Sequence, residues 1–99
     1  MKTITFYSYK GGVGRTLTLS NIAMRLSELG KKVCLLDFDL EAPGLPFKFR
    51  NNKKAIKAGI VDYIYEYSVN GIIPDTIKKY SISIDPLNSN FLPINLIPA

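Results

Sequence analysis

The chain has 99 residues and a formal net charge of +5, and 46% of its residues are hydrophobic while 21% are charged. This composition is typical of a globular protein, and the length allows at most one domain. The sequence contains no histidine and one cysteine, Cys34. These counts exclude histidine-based catalysis, a structural zinc site and an intramolecular disulfide.

The sequence shows neither the pattern of a membrane span nor that of a signal peptide. No apolar run approaches the roughly 20 residues of a transmembrane helix, and the first residues, Met1 to Ile4, lack a hydrophobic region. Cys34 lies in an apolar run and is predicted to be a buried strand thiol, which suits a reducing compartment. We therefore expect a cytoplasmic protein.

The first predicted elements are a strand over Thr3–Tyr9 and a helix from about Gly14 to Leu29. Good strand formers alternate in the first segment, and an apolar stripe at helical spacing marks the second, with Gly30 as its left-handed C-cap. Strand, glycine-rich turn and helix together form the context that a phosphate-binding loop needs. The stripe comprises Leu19, Ile22, Ala23, Leu26 and Leu29.

The glycine-rich segment Ser8–Thr16 reads SYKGGVGRT and has the residue types of a phosphate-binding loop. Its three glycines let the backbone approach a ligand, so that successive N–H groups can point at an anion. Thr16 can place its hydroxyl on Mg²⁺, while Lys10 and Arg15 add cationic charge. The alternative is a glycine-rich turn that binds nothing. The residues predicted to bind the nucleotide are Lys10, Gly11, Gly12, Val13, Gly14, Arg15, Thr16 and Leu17.

Two carboxylates follow the next predicted strand, Val33–Phe38, which is a continuous apolar run of the buried parallel type. Ligands of open parallel sheets bind beyond the carboxyl ends of the strands, so the glycine-rich segment, Asp37 and Asp39 are expected to meet. Aspartate is a hard oxygen ligand suited to Mg²⁺, and it can orient an attacking water. The alternative for each aspartate is a solvated charge at a strand end or a helix cap.

The spacing of the loop indicates a particular family. Tyr9 and Arg15 stand where the common pattern G-x-x-x-x-G-K-[ST] has glycine and lysine, whereas K-G-G-x-x-K-[ST] fits with Lys10 as its extra lysine. The segment resembles that of the deviant Walker A ATPases, the ParA/MinD family, and Asp37–Gly44, DFDLEAPG, looks like their second acidic motif. The departure is Arg15, since most relatives have lysine there and arginine is a wider, forked donor.

The resemblance implies ATP and Mg²⁺ as cofactors and assigns roles to individual residues. Thr16, Asp37 and Asp39 would contact or support the metal, and Asp39 would position the catalytic water. In this family two subunits sandwich two nucleotides, and the extra lysine, here Lys10, reaches the phosphates of the partner. Lys10 and Asp39 are thus the predicted catalytic residues. A local contact of Lys10 to its own loop is the alternative.

A basic segment follows the acidic motif. Phe47–Lys57 reads FKFRNNKKAIK, and two phenylalanines interleave with its positive charges. The charges, which run over Lys48–Lys57, could bind nucleic acid or an acidic partner, but a solvated loop is the interpretation we favour, since charge runs usually face water. The basic residues are Lys48, Arg50, Lys53, Lys54 and Lys57.

Weaker patterns predict the remaining elements, and the whole predicts an α/β fold, a P-loop NTPase-type parallel sheet with helices on both faces. The further elements are a helix over Gly59–Val69, a helical turn from Pro74, a short strand over Tyr80–Ile84 and a core strand over Leu92–Ile97.

We interpret residues 1–99 as the N-terminal part of one P-loop ATPase domain that is truncated before the Walker B motif. The expected function of the parent protein is Mg²⁺-dependent ATP hydrolysis that drives a dimerisation or conformational switch in partitioning, positioning or regulation. The fragment alone is expected to hydrolyse ATP weakly or not at all. The alternative is a catalytically weak nucleotide-binding or nucleic-acid-binding scaffold. The sequence does not determine whether the bound nucleotide is ATP or GTP, and it does not identify the cargo.

Overall fold

The structure is a computed structural model that describes residues 1–9, 14–41, 58–85 and 91–99. No helix within these ranges has the length and the apolar character needed to cross a bilayer. The elements are helices α1 (Arg15–Glu28) and α2 (Ile60–Asn70), a 3₁₀ turn (Ile77–Tyr80), and strands β1 (Val33–Leu36), β2 (Ile82–Ile84) and β3 (Ile94–Ile97).

The three strands form one sheet in the order β1-β3-β2. β1 and β3 are parallel, with Val33 opposite Ile94 and Leu36 opposite Ile97, as the sequence predicts for buried apolar runs. β2 pairs antiparallel to β3, so the sheet is mixed rather than purely parallel. An antiparallel edge strand on a parallel sheet is common in α/β folds, and the α/β class is confirmed.

One face of the sheet packs against α1 and forms the core. Because side chains alternate along a strand, the register places alternate residues of all three strands on the same face, next to Ala23 of the helix. Burial of this apolar surface stabilises the attachment of α1 to the sheet. The buried cluster is Ala23, Leu35, Ile84, Ile94 and Leu96.

Cys34 lies on the opposite face of β1 and is exposed, so the predicted buried thiol is wrong. The same alternation that buries Leu35 turns Cys34 and Leu36 away from α1, and Leu36 is also exposed. Partial burial still raises the pKa of the Cys34 thiol above its usual value, because desolvation disfavours the thiolate.

α1 ends as its sequence predicts, but its inward face differs from the predicted stripe. Gly30 has a φ of 79°, its N–H donates to Ser27 O at 3.0 Å, and the Lys31 N–H donates to Leu26 O at 2.9 Å, which together form a Schellman motif. Ile22 and Leu29 are exposed, whereas the small residues Ser20, Ala23 and Ser27 are buried. Small side chains allow the helix to approach the sheet closely.

The predicted strand Thr3–Tyr9 is wrong. The segment has no strand conformation, and Ile4 and Tyr7 are exposed. A strand exists through its hydrogen-bonded ladder, and the sheet of the described residues contains only β1, β3 and β2. The alternating pattern of Thr3–Tyr9 therefore has no ladder partner in this part of the chain.

The N-terminus of α2 is attached to the segment that follows β3. The Ile60 N–H donates to Pro98 O at 2.7 Å, and the Asp62 carboxylate accepts the Gly59 N–H at 2.7 Å. A Cβ on Gly59 would overlap the backbone oxygens of Pro98 and Ala99. Glycine therefore allows this close approach of two backbones.

No residue of α2 is buried, although Ile60, Val61, Ile64 and Tyr65 recur at helical spacing. Instead, Tyr63 packs edge-on against Tyr80 at a centroid distance of 5.4 Å, and the Glu66 carboxylate accepts hydrogen bonds from Tyr80 Oη and Lys79 Nζ. These aromatic and polar contacts attach this face of the helix to the 3₁₀ turn.

Gly59→Ala should lower the free energy of unfolding by about 1–3 kcal/mol, because the new methyl group forces two backbones apart. Urea denaturation measures the change. Ser68→Ala, at an exposed position of the same helix, is the matched control and should change stability by less than about 0.5 kcal/mol. Equal effects of the two substitutions would show that the close approach at Gly59 does not occur.

Glu66→Gln should remove an acid-sensitive contribution to stability. The hydrogen bond from Lys79 and then that from Tyr80 lower the pKa of Glu66 below its ordinary 4.5. A lowered carboxyl pKa stabilises the fold above the unfolded-state pKa, and this stabilisation is lost as the pH falls through the folded-state pKa. Urea midpoints of wild type and variant should therefore differ at neutral pH and converge on acidification.

Glu28→Gln is the control for this prediction, because Glu28 pairs with Arg25 on the exposed surface of α1 at 2.8 Å and such pairs contribute little. A wild-type midpoint that stays above that of Glu66→Gln throughout the acid range would contradict the prediction.

Candidate nucleotide-binding site

α1 begins at a glycine in the left-handed conformation. Gly14 has φ 78° and ψ 16°, and its carbonyl accepts the Thr18 N–H at 2.9 Å. No side chain of the described residues caps this end, and the first turn contains no acidic residue. The first N–H groups of a helix lack intrahelical acceptors, so this end of α1 is suited to bind an anion.

Asp37 lies directly beyond β1 and is 5% exposed. Its N–H donates to Ile97 O at 2.9 Å, which continues the parallel pairing with β3 by one residue. Its Oδ1 accepts the Asp39 N–H at 3.1 Å, a local turn of the kind that aspartate favours. The buried Asp37 carboxylate thereby fixes the backbone that carries Asp39.

The Arg15 side chain joins this acidic segment to the residues before the helix. Nη2 forms an ion pair with Asp39 Oδ2 at 2.9 Å. Nη1 donates to both Ser8 O at 2.9 Å and Ser8 Oγ at 2.7 Å. The side chains of Arg15 and Asp39 are 30% and 33% exposed, so solvent and ligands can still reach the pair.

The structure brings together part of the predicted site. Gly14, Arg15 and Thr16 lie at the start of α1, Arg15 contacts Asp39, and Leu17 is exposed. The predicted convergence of the glycine-rich segment with the acidic residues is thus observed for Arg15 and Asp39. Four predicted residues lie outside the described residues, as does the basic segment Lys48–Lys57. The four are Lys10, Gly11, Gly12 and Val13.

Sequence reasoning missed two features of the site, the contact of Ser8 with Arg15 and the ion pair between Arg15 and Asp39. The second could have been anticipated, because an arginine and an aspartate were both predicted at the same edge of the sheet. The first has no sequence signal, since a serine before a glycine-rich turn has many uses.

The family of the chain follows from comparison with known proteins. The family profile described as "AAA domain" matches residues 1–97. The chain belongs to this family. A virulence plasmid ParA family protein of Chlamydia trachomatis is 37% identical over 91 residues, which are 87% of this chain and 33% of that protein.

Further relatives indicate the same group within the AAA-domain proteins. An uncharacterized ATP-binding protein of Methanocaldococcus jannaschii is 33% identical over 97 residues, covering 84% of this chain and 37% of its own length. The septum site-determining protein MinD of Helicobacter pylori is 51% identical over 37 residues, 37% of this chain and 14% of that protein. No solved structure gives a significant match. The chain is a ParA/MinD-like P-loop protein, and it spans 33% and 37% of the first two relatives.

The oxygen donors of the predicted site are of the type that binds Mg²⁺ together with phosphates. Among the described residues no group of three or more Cys, Asp or Glu side chains could enclose a metal. Mg²⁺ in nucleotide sites needs no such cage, because it is bound through one or two carboxylates together with phosphate oxygens and waters. The hydroxyl of Thr16 and the carboxylates of Asp37 and Asp39 are donors of this chemistry.

Gly14→Ala and Gly30→Ala should each lower the free energy of unfolding by about 1 kcal/mol. An alanine in the left-handed region is strained by roughly 1–2 kcal/mol. Part of this cost is offset, because alanine lowers the conformational entropy of the unfolded chain. Both glycines have nearly the same φ, and apart from the chain neighbours no atom of the described residues lies within 4 Å of an added Cβ at either one. Urea denaturation measures both. A cost at Gly14 well above that at Gly30 would show a further constraint on the loop.

Proposed function

We propose that the full-length protein binds ATP with Mg²⁺ and hydrolyses it, and that this chain is the N-terminal part of its single P-loop ATPase domain. The observation that supports the proposal most strongly is the convergence at one helix end. α1 begins at left-handed Gly14, and no side chain of the described residues caps it. The Arg15 guanidinium pairs there with Asp39, whose N–H donates to the Asp37 carboxylate. Membership in the ParA/MinD-like family adds a precedent for ATP binding.

The phosphates would lie at the start of α1. N–H groups of Gly14, Arg15, Thr16 and Leu17, together with those of Lys10–Val13, would donate to phosphate oxygens, helped by the positive end of the helix dipole. Arg15 would supply a guanidinium to the β/γ-phosphates, which can accept two parallel hydrogen bonds from it. The position of its side chain at the N-terminus of α1 is consistent with this role.

Bound Mg²⁺ would neutralise charge on the β- and γ-phosphates. Thr16 would ligate it directly, and Asp37 would support it through its buried carboxylate. Asp39 would orient the attacking water, the remaining task once the phosphates are held. Asp39 is suited to that task because its backbone is fixed by the hydrogen bond to Asp37.

Hydrolysis would act as a switch between monomer and dimer. Lys10 would reach the phosphates of a second subunit and offset the charge that develops during transfer. The relatives named for plasmid ParA and for septum-site determination support a role in partitioning, positioning or regulation. The protein would act in the cytoplasm. The cargo would be determined by parts of the protein beyond these residues.

A second candidate is a scaffold that binds nucleotide or nucleic acid and turns ATP over slowly. The ion pair favours it, since Asp39 offsets part of the Arg15 charge that would otherwise attract phosphate. The basic segment Lys48–Lys57 would then be the nucleic-acid contact. DNA binding that weakens steeply with salt and is lost when Lys53, Lys54 and Lys57 are changed to Ala would support this candidate.

Calorimetry of MgATP binding by the full-length protein, with light scattering for oligomeric state, tests the primary proposal. Wild type should bind and dimerise. Arg15→Ala should weaken binding by about tenfold to a hundredfold, as expected for loss of a charged hydrogen bond of about 1.5–3 kcal/mol. Lys10→Ala should keep binding and lose dimerisation or turnover.

Thr16→Ala and Thr18→Ala form a matched pair for the metal, since Thr18 lies one half-turn further on the same helix and is exposed. Only Thr16→Ala should reduce the gain in ATP affinity that Mg²⁺ provides. No binding of ATP by wild type at millimolar concentration would overturn the proposal, and binding without turnover would favour the scaffold.

A further inference from the structure

We infer that Asp39 and the phosphates of the nucleotide compete for the Arg15 guanidinium, so that phosphate binding releases the Asp39 carboxylate. The inference rests on the proposed function because it concerns the same site. It adds a sequence of events in which the carboxylate that would orient water leaves the Arg15 guanidinium only when phosphate has arrived.

The donor atoms of Arg15 are divided between two sides. Nη1 donates to both acceptors of Ser8, its carbonyl and its hydroxyl, at 2.9 and 2.7 Å. An incoming anion would therefore approach the side of Nε and Nη2, where Asp39 Oδ2 already lies 2.9 Å from Nη2 and brings a like charge next to it. Because Ser8 continues to hold Nη1, the exchange of anions at Nη2 requires no displacement of the whole side chain.

Charge makes the two anions alternatives at this position. A carboxylate and a phosphate both accept charge-assisted hydrogen bonds from arginine, and like charges in contact repel one another. A phosphate at the start of α1 would also be attracted by the positive end of the helix dipole, whereas Asp39 is attached to the segment after β1. The phosphate therefore has the larger attraction for this end of the helix.

The ion pair is weak enough to be displaced. Its two side chains are about one-third exposed, and pairs of this exposure typically contribute up to about 1 kcal/mol, which corresponds to about a fivefold change in affinity. Competition of this size would lower nucleotide affinity measurably without preventing binding.

The planar guanidinium of Arg15, with donors on several nitrogens, suits this competition between anions. One planar guanidinium holds Ser8 on one nitrogen and an anion on the other, whereas a lysine ammonium is a compact point charge. After release, Asp39 stays at the site, because its N–H remains bonded to the buried Asp37 carboxylate.

The test measures binding of Mg²⁺ with the slowly hydrolysed analogue ATPγS, and of inorganic pyrophosphate, to the full-length protein. Asp39→Asn should bind both probes about fivefold more tightly than wild type, because the competing charge is removed. Glu41→Gln removes the same charge two residues away, at an exposed position. It should change both affinities by less than half as much.

A double-mutant cycle with Arg15→Ala separates competition from simple repulsion. If Asp39 competes for Arg15, the gain from Asp39→Asn disappears when Arg15 is absent. A gain that persists in the Arg15→Ala background means that Asp39 only repels phosphate, and this overturns the inference. An unchanged or weakened affinity of Asp39→Asn overturns it as well.

A second readout needs no change in affinity. The guanidinium resonances of Arg15 in ¹⁵N–¹H NMR spectra should shift on addition of pyrophosphate, and Asp39→Asn should shift them in the free protein. Identical Arg15 signals in the free wild type and Asp39→Asn would contradict the ion pair.

Tighter pyrophosphate binding by Asp39→Asn without any binding of ATPγS would retain the competition and refute the ATPase proposal. Failure of both probes to bind would overturn both.

Discussion

The contact on which the site depends is the forked bond of Arg15 to Ser8 and Asp39. It links three segments that are separate in sequence: the residues before the glycine-rich turn, the first residue of α1, and the acidic segment after β1. Two of these segments are fixed by backbone structure and packing. α1 is fixed by its packing on the sheet, and the acidic segment is fixed by the bond from Asp37 N–H to Ile97 O.

The short parallel pair of β1 and β3 positions the residues of the site. β1 and β3 share only four residue pairs, but their carboxyl ends point the same way, so the chain leaves β1 at the edge where α1 begins. The buried carboxylate of Asp37 then determines where the next residues lie, because it accepts the N–H of Asp39. A polar group buried next to the core thus acts through its hydrogen bond rather than through its charge alone.

The second half of the described chain is held differently. α2 has no buried residue, and it is attached through its N-terminus at Gly59 and through the cluster of Glu66, Lys79 and Tyr80. Tyr80 is fully buried, yet its hydroxyl is satisfied by Glu66, as buried polar groups require. In contrast to α1, this helix is attached to the residue after β3 and to the 3₁₀ turn, and it buries little apolar surface.

The sequence by itself determined the α/β class, the ends of α1 and the convergence of the start of α1 with the acidic segment after β1. These are local or nearly local consequences: glycine at positive φ, an apolar run of the buried type, and the rule that parallel strands carry their ligands at one edge. Tertiary structure decided what depended on partners. Thr3–Tyr9 has the alternation of a strand but no ladder among the described residues. Cys34 faces away from the helix that covers Leu35. α2 contacts the 3₁₀ turn through Tyr63 and Glu66, whereas its apolar Ile64 is exposed. The side-chain pattern indicates which residues can be buried. Which face of an element is buried depends on the neighbours that pack against it.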